Sequence, residues 1–353
     1  MLDLEQGVAC VVEGRAGLAR LNRPKALNAL TPAMIERLDT FLNACAANPH
    51  IYGMVLEAEG KAFCAGGDIR AIRDMAASAP EEANRFYAAE YRYNWSLACF
   101  PKPHVALIDG PVMGGGVGVS LYGSYRVAGE NIRFAMPETG IGFVPDIGGS
   151  WFMPRLPGKT GLYLALTGAV LNRADAYALG LVTHCIPRGR FPAVRAAMIE
   201  GETIATVLGA LHEPAGESAL DALREPIDRL FAAPSLEELF RGLEREDGRW
   251  RDFARATLAT LSARSPLALH LTFELHRRAA TFSSLKDALS LEYRVATRLI
   301  RHADFAEGVR AAVIDKDRSP KWAHASIGEV AAPLVESFFA PLSTGDVPLD
   351  RSA

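Results

Sequence analysis

Twice in its first third, the chain passes from a short apolar stretch through clustered glycines directly into a helical pattern. The first passage is Ala62-Phe63-Cys64-Ala65-Gly66-Gly67-Asp68. The second is His104-Val105-Ala106-Leu107-Ile108-Asp109-Gly110-Pro111-Val112-Met113-Gly114-Gly115-Gly116-Val117-Gly118. A strand, a tight turn and a helix start in that order leave backbone N–H groups free at the turn, where the helix terminus favours negative charge. Glycines there let a ligand approach the backbone. Such punctuation constrains the chain to an α/β arrangement. Two N–H-presenting turns suggest a two-donor oxyanion hole; the plainer alternative is two unrelated turns, with Asp68 as a cap. A dinucleotide site does not fit. G-x-G-x-x-G is unmatched, and no acidic residue ends a second strand about 20 residues on.

The same alternation continues to about residue 190. Residues 8–21 form a hairpin pattern split by Glu13-Gly14-Arg15. Thr31 caps a helix beginning at Pro32, with Met34, Ile35, Leu38, Phe41 and Leu42 at helical spacing. Buried or short strands are expected at 52–56, 126–128 and 132–135. From about 193 to 340 the pattern is helical, broken at Pro214, Pro226, Pro234 and Pro266. Arg264-Ser265-Pro266 should start a helix whose apolar face carries Leu267, Leu271 and Leu275. The 353 residues exceed the roughly 250–300 at which a single core stops growing. The expected division is therefore an α/β core at 1–192 and a mainly helical region at 193–353, frayed from Leu342 onward.

A third segment carries acids: Phe134-Ala135-Met136-Pro137-Glu138-Thr139-Gly140-Ile141-Gly142-Phe143-Val144-Pro145-Asp146-Ile147-Gly148-Gly149. A carboxyl among apolar neighbours has a raised pKa, and a second carboxyl nearby separates the two titrations further. Glu138 and Asp146 are thus candidates for proton transfer. Asp146 could instead cap a helix over 147–153. Other chemistries fail on pattern. G-x-S-x-G and H-E-x-x-H are absent, and His270 and His276 are badly spaced for one metal face, so no metal is expected.

A net charge of −3 gives no general pull toward nucleic acid or anionic membrane. The five cysteines (Cys10, Cys45, Cys64, Cys99 and Cys185) are odd in number and widely spaced, as in a reducing compartment. Asp3, Glu5 and Glu13 near the start do not suggest a targeting peptide, and no run approaches the ~18 apolar residues of a membrane span. A cytoplasmic protein is the expectation.

RLNRPKALNAL (20–30), KAFCAGGDI (61–69), MGGGVGVSL (113–121) and FAMPETGIGFVPDIGG (134–149) together resemble the crotonase, or enoyl-CoA hydratase/isomerase, superfamily in order and spacing. The resemblance implies a spiral of ββα units binding coenzyme A, with Gly67 and Gly115 N–H groups holding the thioester oxygen. It puts Lys25, Leu27, Lys61 and Ala65 along the nucleotide and pantetheine path. It implies no cofactor beyond the CoA of the substrate. In that superfamily trimers or hexamers form through C-terminal helices, so a homo-oligomer is expected.

Hydratases of the superfamily carry a glutamate two positions beyond the GGG and another 20 residues later. Here those positions hold Gly118 and Glu138, and Asp146 stands where hydratases commonly have glycine. That set is similar to the superfamily's 3-hydroxyacyl-CoA thioester hydrolases. So are Ser290-Leu-Glu-Tyr-Arg294 and the run from Asp304 to Trp322. The resemblance, covering roughly 5–340, implies hydrolysis of 3-hydroxyisobutyryl-CoA, as in valine catabolism, with 3-hydroxypropionyl-CoA as a second substrate. Glu90 falls at a substrate-contacting position; by pattern alone it is one acid on a helix of mixed charge. The competing expectations are a short-chain enoyl-CoA hydratase or isomerase on the same fold, and a non-catalytic CoA-thioester-binding or RNA-associated module, which the net charge and the retained acids disfavour.

Overall fold

The computed structural model describes residues 7–349. The hairpin forms as its pattern predicts. β1 (Val8–Glu13) and β2 (Ala16–Leu21) pair antiparallel, Val8 opposite Leu21 and Glu13 opposite Ala16. β3 (Gly53–Ala58), β4 (His104–Ile108), β6 (Tyr125–Ala128) and β8 (His184–Cys185) then add in parallel, in the order β1-β2-β3-β4-β6-β8. β5 (Pro111–Met113) and β7 (Arg133–Ala135) form a separate parallel pair. Single bridges extend that pair: Leu30 with Gly67, Cys64 with Val112, and Phe134 with Leu171. Each turn of chain therefore gives one strand to the long sheet and one short segment to a second stack. This is the crotonase spiral, and both glycine turns lie where the chain leaves the second stack.

The central strands β3 and β4 are apolar on both faces over 54–56 and 105–108, as parallel strands buried on two sides must be. Met54, Leu56, Ala106 and Ile108 join the main core. Val55, Val105 and Leu107 point the other way, onto Val194, Met198 and Leu208. Those three come from α8 (Phe191–Glu200) and α9 (Ile204–Leu211). The 192/193 division thus falls inside a helix that covers the sheet.

The helices of the first part are α1 (Pro32–Ala47), α2 (Ile69–Ser78), α3 (Pro80–Ala98), α4 (Gly115–Leu121), α5 (Gly149–Phe152), α6 (Thr160–Thr167) and α7 (Arg173–Ala178). After α9 come α10 (Arg224–Leu230), α11 (Leu236–Arg245), α12 (Arg251–Ser262), α13 (Pro266–Ala279), α14 (Leu285–Leu299), α15 (Ala303–Val309) and α16 (Ala332–Phe339). Thr31 caps α1 and Ser265 caps α13, each through its hydroxyl. Leu267, Leu271 and Leu275 of α13 lie in the same core as Leu56 and Ile108.

Two expectations are corrected. The segment after Leu342 is not frayed as far as Leu349. Arg294 holds Asp346 with two hydrogen bonds, at 2.7 and 2.6 Å, and Val347 and Leu349 are buried. Nor does Asp146 cap a helix over 147–153. The helix there is the short α5; the Gly148 and Ser150 N–H groups at its start go to Glu292 of α14, that of Gly149 goes to the Asp146 backbone carbonyl, and the Asp146 side chain turns to α3 instead. The expectations about Asp3 and Glu5 fall outside the described residues.

Candidate active site

The two glycine turns meet. Gly115 is the first residue of α4, so its N–H has no acceptor within the helix. Among the described residues, neither the Gly67 nor the Gly115 N–H donates to a backbone carbonyl. A Cβ built on Gly115 would stand 3.3 Å from Gly67 N and would fall on Glu90 Oε1. One built on Gly114, where φ is +48°, would lie 2.8 Å from Glu138 Oε1. Two free donors and two carboxyls therefore surround one point, and the absence of side chains at 114 and 115 makes room for it.

That point opens into a cavity of about 310 Å³. Ala65, Gly67, Gly115, Glu90, Glu138 and Asp146 all line it, with an apolar wall that includes Ile72, Phe86 and Phe143. The structure thus gathers six of the residues singled out in the sequence. Lys25, Leu27 and Lys61 are not in the lining. Leu27 is joined to it through the backbone, its carbonyl accepting the Ala65 N–H at 3.0 Å. Asp68 is a helix cap, accepting from Ala71 N at 3.3 Å and pairing with Arg23 at 3.2 Å.

The three acids come from different elements. Glu138 starts a 3-10 turn (Glu138–Ile141) after β7, beyond Met136 and Pro137, and is 7% exposed. Asp146 follows in the Gly/Pro-shaped loop at 5%, and Glu90 faces inward from α3 at 3%. The solvated-face alternative for Glu90 is therefore wrong. Burial pushes all three acids up. Glu90 and Glu138 are driven well above the ordinary range by desolvation and then by the charge on Asp146. Asp146 is pushed up to about 7 by desolvation, held from going higher by the Tyr91 hydroxyl, which donates to its Oδ2 at 2.7 Å. Glu90 Oε1 and Glu138 Oε2 are buried without a hydrogen-bond partner. Buried carboxyls with no partner and shifted titrations are the usual mark of a proton-transfer site. Arg264, at the cavity edge, sends its Nη2 to the Thr167 carbonyl at 2.6 Å.

Several contributors were not singled out in the sequence. Tyr87 and Phe143 stack across the cavity wall, centroids 5.5 Å apart. Tyr91 fixes Asp146. Glu292 lies within the Ser290–Arg294 motif but gave no sign of its partner. Its Oε2 accepts from Gly148 N at 2.7 Å, and its Oε1 accepts from Ser150 N at 2.8 Å and Ser150 Oγ at 2.6 Å.

A ββα spiral with paired backbone donors facing buried acids defines a crotonase-fold enzyme site. The profile described as Enoyl-CoA hydratase/isomerase matches residues 16–339, and this chain belongs to that family. Among curated relatives, the mitochondrial 3-hydroxyisobutyryl-CoA hydrolase of Gallus gallus is 41% identical, covering 96% of this chain and 89% of the relative. The Homo sapiens protein of that name is 38% identical, covering 98% and 91%. Among solved structures, one described as a carnitinyl-CoA dehydratase from Mycobacterium thermoresistibile superposes with a TM-score of 0.93 at 37% identity, covering 99% of this chain and 100% of that one. Another, described as an enoyl-CoA hydratase from Rhodobacter sphaeroides 2.4.1, gives 0.90 at 40%, covering 97% and 99%.

Proposed function

We propose that this chain hydrolyses the thioester of 3-hydroxyisobutyryl-CoA, releasing 3-hydroxyisobutyrate and free CoA. The relatives that bear this activity in their names align along nearly the whole chain. The observation that carries the reading against hydration is at position 118. A Cβ there would lie 2.8 Å from Asn94 Nδ2 and 3.1 Å from Ile147 Cβ, both buried. The space in which a hydratase holds its first glutamate is filled. The acids facing the cavity are instead Glu90, Glu138 and Asp146.

In the reaction, the Gly67 and Gly115 N–H groups polarise the thioester carbonyl and stabilise the oxyanion that forms. Losing one such donor costs ~2.7–4 kcal/mol in the transition state. Glu138 either adds to the carbonyl carbon, expelling the thiolate and leaving an anhydride that water cleaves, or takes a proton from the attacking water. Both routes break the C–S bond, leave one new C–O bond to the oxygen of water and pass a proton of that water to the thiolate, the anhydride route forming and breaking a further C–O bond on the way. Asp146 places the water or the substrate hydroxyl, and Glu90 hydrogen-bonds the substrate's hydroxyl or a catalytic neighbour. 3-Hydroxypropionyl-CoA lacks one methyl, which an apolar wall discriminates by only ~1–3 kcal/mol, so it should also react. The CoA path past Lys25, Leu27 and Lys61, a homo-oligomer and a cytoplasmic compartment belong to the same proposal.

The second reading is hydration of an enoyl-CoA, the activity in the name of the solved relative from Rhodobacter sphaeroides 2.4.1. Thiol release from 3-hydroxyisobutyryl-CoA, 3-hydroxypropionyl-CoA and crotonyl-CoA separates the two. Release from both 3-hydroxyacyl thioesters, lost in Glu138→Gln and in Gly115→Val, is the expected result. Loss of the crotonyl double-bond absorbance without thiol release would overturn it.

A further inference from the structure

The chain around Asp146 takes a costly path. Ile147 is β-branched yet sits at φ +51°, and Gly148 follows at +83°. Two successive left-handed residues, one of them β-branched, do not persist unless their surroundings over-determine them. The backbone is held from two sides. The Tyr122 hydroxyl donates to the Ile147 carbonyl at 2.9 Å. From the other side Glu292, fully buried on α14, takes the Gly148 and Ser150 N–H groups and the Ser150 hydroxyl. Burial pushes this carboxyl up to about 8, and the three donors onto its two oxygens pull the other way, toward the anion. The neighbouring residue on α14, Tyr293, packs edge-on against Tyr91 with centroids 6.1 Å apart. Tyr91 is the donor to Asp146. One turn of α14 thus braces both the backbone that carries Asp146 and the side chain that orients it.

We infer that Glu292 is the positioning residue for Asp146, so that a helix far along the chain sets the catalytic geometry of a loop in the first half. The inference rests on the hydrolase reading of the site. Titratable groups facing this carboxyl are Asp146 itself, Tyr91 from α3 and Tyr122 after α4. Glu90, Glu138 and Tyr87 stand around Asp146 from the cavity side.

Glu292→Gln keeps the size but offers one acceptor oxygen and an NH2 group that opposes a backbone N–H, so at least one anchor is lost. Displacing a catalytic group by about 1 Å costs ~10²-fold. Glu292→Gln should therefore lower kcat by ~10²-fold, with KM for 3-hydroxyisobutyryl-CoA changed by less than about twofold. In an Asp146→Asn background the same substitution should cost nothing further. A role confined to folding would exact its toll in both backgrounds. If Glu292→Gln does not fold, Ser150→Ala takes its place in the cycle. It removes one of the three donors and should cost about 3–10-fold, again only where Asp146 is present. Equal losses with and without Asp146, or an unchanged kcat, would overturn the inference and leave the hydrolase reading intact. A wild-type protein that releases no thiol would remove both.

Discussion

Position 146 is where activity and stability pull apart. Asp146 is pushed up to about 7 by burial, and its charge in turn raises Glu138 and Glu90. The three acids share their protons as a group, and kcat/KM should rise with pH through a limb near neutrality rather than near 4. Tyr91→Phe removes a hydrogen bond that favours the anion, so the limb should move to higher pH. The stability sign runs the other way. The native state holds the Asp146 proton more tightly than the unfolded chain, whose carboxyl titrates near 3.9. Its contribution to stability is intact below about pH 4 and is lost as pH rises through about 7. Asp146→Asn should therefore be more stable than wild type at pH 8 by on the order of a few kcal/mol, and melt at a higher temperature, with the gap narrowing at pH 5. Asn can still accept the Tyr91 hydroxyl. Paired thermal melts at the two pH values check this, and a lower melting temperature at pH 8 would refute it.

At the scale of elements, the C-terminal segment is an anchor for α14. Val347 and Leu349 are buried, whereas the Arg294–Asp346 pair is partly open to solvent. Truncating buried aliphatic side chains costs ~0.5–5 kcal/mol each, and an exposed ion pair is worth ~0–1. Val347→Ala/Leu349→Ala should lower the melting temperature by several degrees, and Asp346→Ala by hardly any; the reverse order would show that the ion pair is the anchor. Sequence pattern revealed neither contribution, since Val347 and Leu349 lie in a Pro- and Gly-containing stretch with no period. By contrast, the hairpin, the α1 and α13 starts and both glycine turns were legible, because caps, turns and alternation are written in neighbouring residues. Asp146 shows the boundary between the two cases. Its loop composition marked it as an acid in an apolar setting, but cap and catalyst look alike until one knows that Glu292, 142 residues beyond Ser150, already takes the helix donors. Glu90 was undecidable for a similar reason: only the position of α3 against the glycine turn turns its face inward.

For the molecule as a whole, the α/β part and the helical part share one hydrophobic core, and a single cooperative transition is the expected consequence. Leu56 and Ile108 of the sheet share a core with Leu271 of α13, Leu289 of α14 and Phe305 of α15. The Asp146 loop takes its anchor from α14, and α8 crosses position 192 to cover the sheet. A fragment ending at 192 would expose that apolar surface and lack Glu292, and should be inactive. The intact chain carries built-in reporters of each part: Trp95 and Trp151 before the division, Trp250 and Trp322 after it. A Trp250→Phe/Trp322→Phe variant reports the first part alone, and Trp95→Phe/Trp151→Phe the second. Coincident probes are the test of a single cooperative transition. If the shared core governs, midpoints in urea should agree between the two variants once each is referenced to its own circular dichroism. Separated midpoints would mean that the helical region opens first. In that case the anchor on Gly148 and Ser150 would be lost before the sheet melts, and thiol release should disappear at the lower of the two midpoints.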